Sequence, residues 1–216
     1  MIGDKLIISD YHRKAAALIF QTLQKKLPQA KIPFIVTVAG ESGCGKSETA
    51  AVLSELCTKA GYKTLLLQQD DYFVYPPKTN HMKREDDINW VGPGEVKLGL
   101  IEENIETIKS GTVETITKPL VNYEKNIITD EKIKVEGVEI VIVEGTYTTT
   151  LKNADLKAFI DRDYRQTKKA RLARSRDPLS DFLEKVLSIE HNIISAHKKM
   201  ADIIIPPPEN EKITGS

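Results

Sequence analysis

The sequence predicts an α/β protein built on a right-handed parallel sheet, and three observations predict it. Short apolar, β-branched runs alternate with runs of helical period along the chain. One of those runs, "PFIVTVAG" (Pro33 to Gly40), leads through a glycine-studded loop straight into a helix-like segment. No internal repeat or linker divides the 216 residues, so a single domain over 1–216 is expected.

The elements follow in order. Ser9 to Leu27 opens with cap-type residues, carries apolar side chains at helical spacing and closes with Lys25, Lys26 and Pro28, so 1–30 holds an N-terminal helix. Its apolar stripe either covers the sheet or mediates a homo-oligomer. "PFIVTVAG" is a buried parallel strand, and Lys46 to Lys59 is a helix closed by Gly61. "KTLLLQQDDYF" is a second buried strand with acidic residues at its end. Val74 to Gly94 is polar, holds Pro76, Pro77 and Pro93 and shows no period, which suggests a long functional loop. Glu95 to Lys109 reads as a helix. "TVETITKPLVNYEKNIITDEKIKVEG" alternates between turn signals, suggesting small antiparallel strands appended to the sheet. "VEIVIVEG" and "LKAFID" are further strands, Asp163 to Arg176 and Asp181 to Met200 are helical, and "ADIIIPPP" is a terminal strand stopped by prolines.

Composition narrows the classes. Hydrophobic residues make up 40% and charged residues 29%, enough for a real core. Thirty-one basic residues balance 31 acidic ones, which argues against a nucleic-acid partner. No stretch approaches the roughly 20 apolar residues of a membrane span, and "IGDKLIISDYHRK" lacks the apolar core of a secretion signal. Cys44 and Cys57 have no metal spacing and form no disulfide framework, so a cytoplasmic protein is expected.

Gly40-Glu41-Ser42-Gly43-Cys44-Gly45-Lys46-Ser47 satisfies G-x-x-x-x-G-K-[ST] in the strand-to-helix setting that its mechanism requires. Gly43 and Gly45 allow conformations and close approaches that a Cβ would obstruct. Successive backbone N–H groups, from Gly40 through Glu48, then surround phosphate oxygens at the positive end of the helix. Lys46 neutralises the β- and γ-phosphates, and the Ser47 hydroxyl suits Mg²⁺. Cys44 is either a thiolate favoured by amide dipoles or a small residue at a variable position.

The terminal phosphate needs an acceptor and a carboxylate to orient the attacking hydroxyl. Asp70 and Asp71 lie just past a buried strand, at the carboxyl edge where open α/β sheets bind ligands, and extended backbone points only one of them at the phosphates. Asp70 is the candidate, with a helix cap or surface turn as the competing reading. Glu144, at the end of "IVIVEG", suits Mg²⁺ or its waters on the same reasoning.

In the order phosphate loop, "QQDDYF", "NWVGPGEV", "KPLVNYEKN", "IVIVEG", "RLARSRD", "ADIIIP", the chain resembles the uridine kinase and phosphoribulokinase family over about Ile32 to Pro207. The resemblance implies a P-loop kinase fold of three layers, with a five-stranded parallel core, a small antiparallel β insertion, an acceptor-binding insertion over 74–136 and a lid over 171–182. It implies transfer of the γ-phosphate of ATP, sometimes GTP, to a sugar-type hydroxyl. Asp70 would then be the catalytic base, followed by the aromatic pair Tyr72 and Phe73, while Ser47 and Glu144 would serve Mg²⁺. Arg171, Arg174 and Arg176 fall in the helix leading to the lid, a solvated basic helix face being the alternative.

The chain departs from uridine kinases where N-F-D-H-P-D becomes Asn89-Trp90-Val91-Gly92-Pro93-Gly94 and where Y-D-Y/F-x-x-H becomes Val121-Asn122-Tyr123-Glu124-Lys125-Asn126. A valine cannot accept hydrogen bonds from a ribose diol, so the transfer machinery is retained and the nucleoside pocket is not. The lid segment "RDPLSDFLE" also lacks the usual arginine-glycine-arginine. The acceptor set becomes Asp70, Tyr72, Phe73, Trp90 and Tyr123, with Trp90 stacking on a ring or plugging the insertion's small core. His81, Lys83, Arg84, Lys118 and Lys125 suggest an anionic acceptor such as a sugar phosphate or acid. His12, His191 and His197 read as surface or packing residues.

A small-molecule kinase is therefore expected. The alternatives are a nucleotide-hydrolysing switch or GTPase acting on a protein, against which no N-K-x-D occurs, and a nucleotide-binding relative without kinase activity.

Overall fold

A computed structural model describes residues 2–3, 6–168, 171 and 180–208. The chain runs α1 (Asp10–Lys26), β1 (Phe34–Gly40), α2 (Lys46–Lys59), β2 (Thr64–Gln68), α3 (Pro77–Asp86), α4 (Leu98–Ser110), β3 (Thr115–Asn122), β4 (Ile127–Lys134), β5 (Ile140–Glu144), β6 (Leu156–Ile160), α5 (Asp181–Ser195) and β7 (Ile203–Ile205). Five strands form one parallel sheet in the order β2-β5-β1-β6-β7. All five are the apolar runs expected from sequence, and β1 and β5 are buried at every position, as parallel strands covered on both faces are.

Alternation along each strand divides the core between two layers. Phe34, Val36 and Val38 of β1 and Ile142 of β5 face α1 and α2, packing with Ala16, Ile19, Leu23 and Leu53. Ile35 and Ala39 of β1 and Val141 and Val143 of β5 face the other way, toward Ile101 and Ile105 of α4 and Ile194 of α5. The stripe of α1 thus covers α2 and the sheet.

The chain leaves β1 for the edge strand β2, then later crosses from β5 past β1 to β6. This reversal of winding opens a crevice at the carboxyl ends of β1 and β5, where ligands of open α/β sheets bind. The register keeps those ends level, with Val38 opposite Glu144 and Glu144 opposite Gln68.

Three expectations are corrected. The segment read as a loop over 74–94 contains α3, which starts with Pro77 at its first position and carries Lys83 and Arg84 in its last turn. Asn80 is the one buried residue of that helix, so it leaves no apolar period in the sequence. The pair β3 and β4 forms its own two-stranded antiparallel sheet rather than extending the main one. Residues 164–167 form a turn capped by the Asp163 carboxylate, which accepts from the Arg165 and Gln166 amides at 2.8 and 2.9 Å. The rest of the helix expected up to Arg176, apart from Lys168 and Arg171, lies outside the described residues, as does most of the expected lid.

Candidate active site

The phosphate loop joins β1 to α2. Gly45 caps α2 with φ 99° and Gly43 has φ 75°, values that favour glycine. A Cβ on Gly45 would also fall 2.5 Å from His12 Nε2 of α1, so the N-terminal helix presses directly on the loop. Lys46 Nζ donates to the Glu41 carbonyl at 2.9 Å. Ser47 Oγ donates to Glu144 Oε1 at 3.1 Å, and Gln68 Nε2 reaches the same oxygen at 3.3 Å.

Gly43, Lys46, Ser47 and Glu144 line a cavity of about 170 Å³ at the crevice. Lys46, Ser47, Asp70 and Glu144 are among its polar lining residues, while Phe73 and Leu183, Val186 and Leu187 of α5 supply apolar ones. Burial, then the charge of Asp70, pushes the Glu144 carboxyl up to about 7, with Lys46 and the bonds from Ser47 and Gln68 pulling the other way. The Glu144 carboxylate beside the Ser47 hydroxyl offers hard oxygen donors that suit Mg²⁺. Among the described residues no three His, Cys, Asp or Glu side chains form a metal cluster, so such an ion would draw further ligands from phosphates and water.

The neighbours Asp70 and Asp71 face different ways. The chain after β2 turns at once into a 3-10 helix, Gln69–Tyr72, instead of continuing as strand. Successive side chains there are about 120° apart. Asp70 lines the cavity. Asp71 is buried, receives Lys118 Nζ at 2.8 Å and the Val121 amide at 3.1 Å, and so anchors β3 to the main domain. This turn crosses tightly over the end of β5, where a Cβ on Gly145 would lie 2.2 Å from Gln69 Cβ.

Three residues of the expected acceptor set lie outside the cavity lining. Tyr72 is 0% exposed, accepts from Asn104 Nδ2 at 2.9 Å and has its hydroxyl pushed up to about 12 by burial, so it is a core residue and Phe73 alone of the pair lines the cavity. Trp90 packs on Tyr75 with ring centroids 5.7 Å apart and donates from Nε1 to Asn80 at 2.8 Å, within the insertion's small core. Tyr123 lies in the β3–β4 turn, outside the cavity wall, with its amide donating to the Ile2 carbonyl at 3.2 Å.

In the loop itself, the side chains of Glu41, Cys44 and Glu48 are buried. Glu41 accepts from the Tyr164 amide at 2.8 Å and pairs with His191 Nδ1 at 2.7 Å, which gives that histidine a role tying α5 to the loop. Ser42 accepts Thr167 Oγ1 at 3.0 Å through its carbonyl and lines the cavity. Gly40 is closed against Cys44 and Ile160. Arg171 lies beside Gly43 and donates to Thr167 Oγ1 at 2.8 Å and to the Tyr164 carbonyl. Arg174 and Arg176 lie outside the described residues.

Burial raises the Cys44 thiol and pushes Cys57 up to about 11, which decides against a reactive thiolate. Native protein at neutral pH is expected to leave both thiols unlabelled by an aromatic disulfide reagent over minutes, with two equivalents reacting after denaturation. Fast native labelling of one thiol would contradict this packing.

Sequence reasoning missed the acidic partners of Arg84. Arg84 lines the cavity and grips Glu95 with Nε and, at 2.9 Å, with Nη2, which also donates to Glu190 at 3.0 Å. Glu95 is 0% exposed and further accepts Asn80 Nδ2 at 2.9 Å and the Gly92 amide at 3.1 Å. Burial raises the Glu190 carboxyl, with Arg84 opposing. Nothing in the local pattern marks Glu95 or Glu190 as interior, because only the fold brings their partner to them. The other cations expected to meet an anion are placed differently: Lys118 pairs with Asp71 and Glu131, His81 with Glu85 at 3.4 Å, Lys83 with Asp86 at 3.8 Å, and Lys125 is exposed in the β3–β4 turn. His197 packs against the Tyr147 ring, its pKa lowered by burial.

Among the described residues no helix is long and apolar enough to cross a membrane. The model of the Phosphoribulokinase / Uridine kinase family matches residues 35–213. A uridine kinase of Latilactobacillus sakei is 26% identical over 197 residues, covering 86% of this chain and 90% of that protein. A uridine kinase of Bacillus pumilus is 30% identical over 190 residues, covering 81% and 86% respectively. A solved structure of a possible uridine kinase from Bacillus stearothermophilus superposes with a TM-score of 0.64 at 15% identity, over 89% of this chain and 98% of that one, a likeness of fold. With its loop, strand-end carboxylates and sheet order set out along nearly the whole of that match, the chain belongs to the Phosphoribulokinase / Uridine kinase family and is a small-molecule kinase of the P-loop type.

Proposed function

We propose that the protein transfers the γ-phosphoryl group of ATP, or of GTP by the same triphosphate chemistry, to a hydroxyl of a nucleoside, sugar or related metabolite. The observation that carries this reading is the shared cavity: Asp70 lines the same small space as Lys46, Ser47 and Glu144. A hydrolysing switch needs no second carboxylate aimed at an acceptor volume with an apolar wall.

In this reading the loop amides and Lys46 hold the β- and γ-phosphates, and the Lys46 ammonium exchanges its bond to the Glu41 carbonyl for phosphate oxygens. Asp70 accepts the proton of the acceptor hydroxyl as its oxygen bonds to the γ-phosphorus and the bond to the β–γ bridging oxygen breaks, leaving ADP. Ser47 and Glu144 would hold Mg²⁺ directly or through its waters. When bound, that ion neutralises charge on the phosphate oxygens. Arg171, Arg174 and Arg176 would add positive charge from the lid side.

The test is ADP formation from Mg·ATP across a panel of nucleosides, sugars, sugar phosphates and hydroxy acids. Acceptor-dependent ADP formation with a phosphorylated acceptor is expected. Hydrolysis that responds to an added protein and to no small molecule would overturn the reading.

A further inference from the structure

We propose that the acceptor is an uncharged polyhydroxy compound, carrying neither a phosphate nor a carboxylate, and that the Arg84–Glu95–Glu190 cluster imposes this choice. The inference rests on the kinase reading above and concerns the acceptor half of the same cavity.

Arg84 is the basic side chain that the insertion contributes to the cavity wall. A sugar phosphate or hydroxy acid would seek such a guanidinium, because its fork matches an anion's two oxygens. Here the fork is already occupied. Nε and Nη2 engage the two oxygens of Glu95, and Nη2 also reaches Glu190. Glu95 cannot swing away freely, since Asn80 and the Gly92 amide hold the same carboxylate in a fully buried place. An anion that took Arg84 would leave that buried carboxylate without its partner, a strongly unfavourable exchange.

The charge count points the same way. One guanidinium stands between two carboxylates, and Asp70 adds a further acid to the same wall. Even with a proton on Glu190, Arg84 keeps its two-pronged partner in Glu95. Lys46 is committed to the triphosphate. Lys118 of the hairpin is tied to Asp71 and Glu131. Placing a further anion beside the γ-phosphate would set like charges together in one small cavity.

The same side chains suit hydroxyls. Glu190 keeps an 11% exposed side chain at the cavity and accepts O–H donors with its remaining lone pairs. Phe73, Leu183, Val186 and Leu187 offer an apolar face for the C–H side of a ring or chain.

The experiment incubates the full chain with Mg·ATP labelled in the γ-phosphate, using matched pairs that differ by one anionic group: ribose and ribose 5-phosphate, glycerol and glycerate, uridine and its monophosphate. A small-molecule extract is run in parallel and labelled products are read by mass spectrometry. The label is expected in a product of an uncharged acceptor, with kcat/KM at least about tenfold above its anionic counterpart. In Glu190→Gln that ratio is expected to fall. A preferred acceptor that already carries phosphate or carboxylate overturns the inference and leaves the kinase reading standing, as does a ratio unchanged in Glu190→Gln. No labelled product from any pair or the extract, with Mg·ATP bound, overturns the kinase reading and this inference with it.

Discussion

Asp70→Asn is expected to lower acceptor-dependent ADP formation by about 10²–10⁴-fold, the range typical of a positioned general base. The amide keeps the shape of the side chain, so the 3-10 turn from Gln69 to Tyr72 and its crossing over Gly145 stay in place. What is lost is the capacity to take a proton from the attacking hydroxyl. Affinity for Mg·ATP should change by no more than a few-fold, because the loop amides, Lys46, Ser47 and Glu144 are untouched. Steady-state kinetics paired with calorimetric nucleotide titration measure both quantities. Wild-type turnover in this variant would remove Asp70 from the mechanism, and a collapse of nucleotide binding would reassign it to the phosphate site.

Asp71→Ala, one residue along, is expected to act on stability. Asp71 is 2% exposed and Lys118 is 6% exposed, so the change removes the buried counter-ion of the ammonium, leaving it the more exposed Glu131, and takes the acceptor from the Val121 amide. Breaking a buried pair from one side costs about 3–5 kcal/mol, equivalent to roughly 10 °C or more in Tm for a domain of this size. Thermal unfolding followed by circular dichroism reads the loss directly. Replacing both partners with apolar residues, Asp71→Leu with Lys118→Met, should recover part of it, since the buried charge is then gone. An Asp71→Ala protein that melts with its parent would mean that the hairpin is not held by this pair.

Adjacent aspartates with opposite roles show where sequence reading stops. The central strands were legible because a strand buried on both faces must be apolar throughout, and that leaves a mark in one dimension: "FIVTVAG" is buried at every position. The phosphate loop was legible because its chemistry is contiguous, with glycines, Lys46 and Ser47 delivered by one short segment at a helix start. Family membership followed from such local blocks kept in order. Only the tertiary structure decided that Asp70 lines the cavity while Asp71 is spent on Lys118, that Phe73 lines the cavity while Tyr72 is core, and that Arg84 is matched by Glu95 and Glu190. Each depends on the rotation of a tight turn or on partners 47 and 106 residues away, such as Asp71 with Lys118 and Arg84 with Glu190. A charged side chain bears no sign in the sequence of whether it will meet water or a buried counter-ion, because its energy is set by what the fold brings beside it.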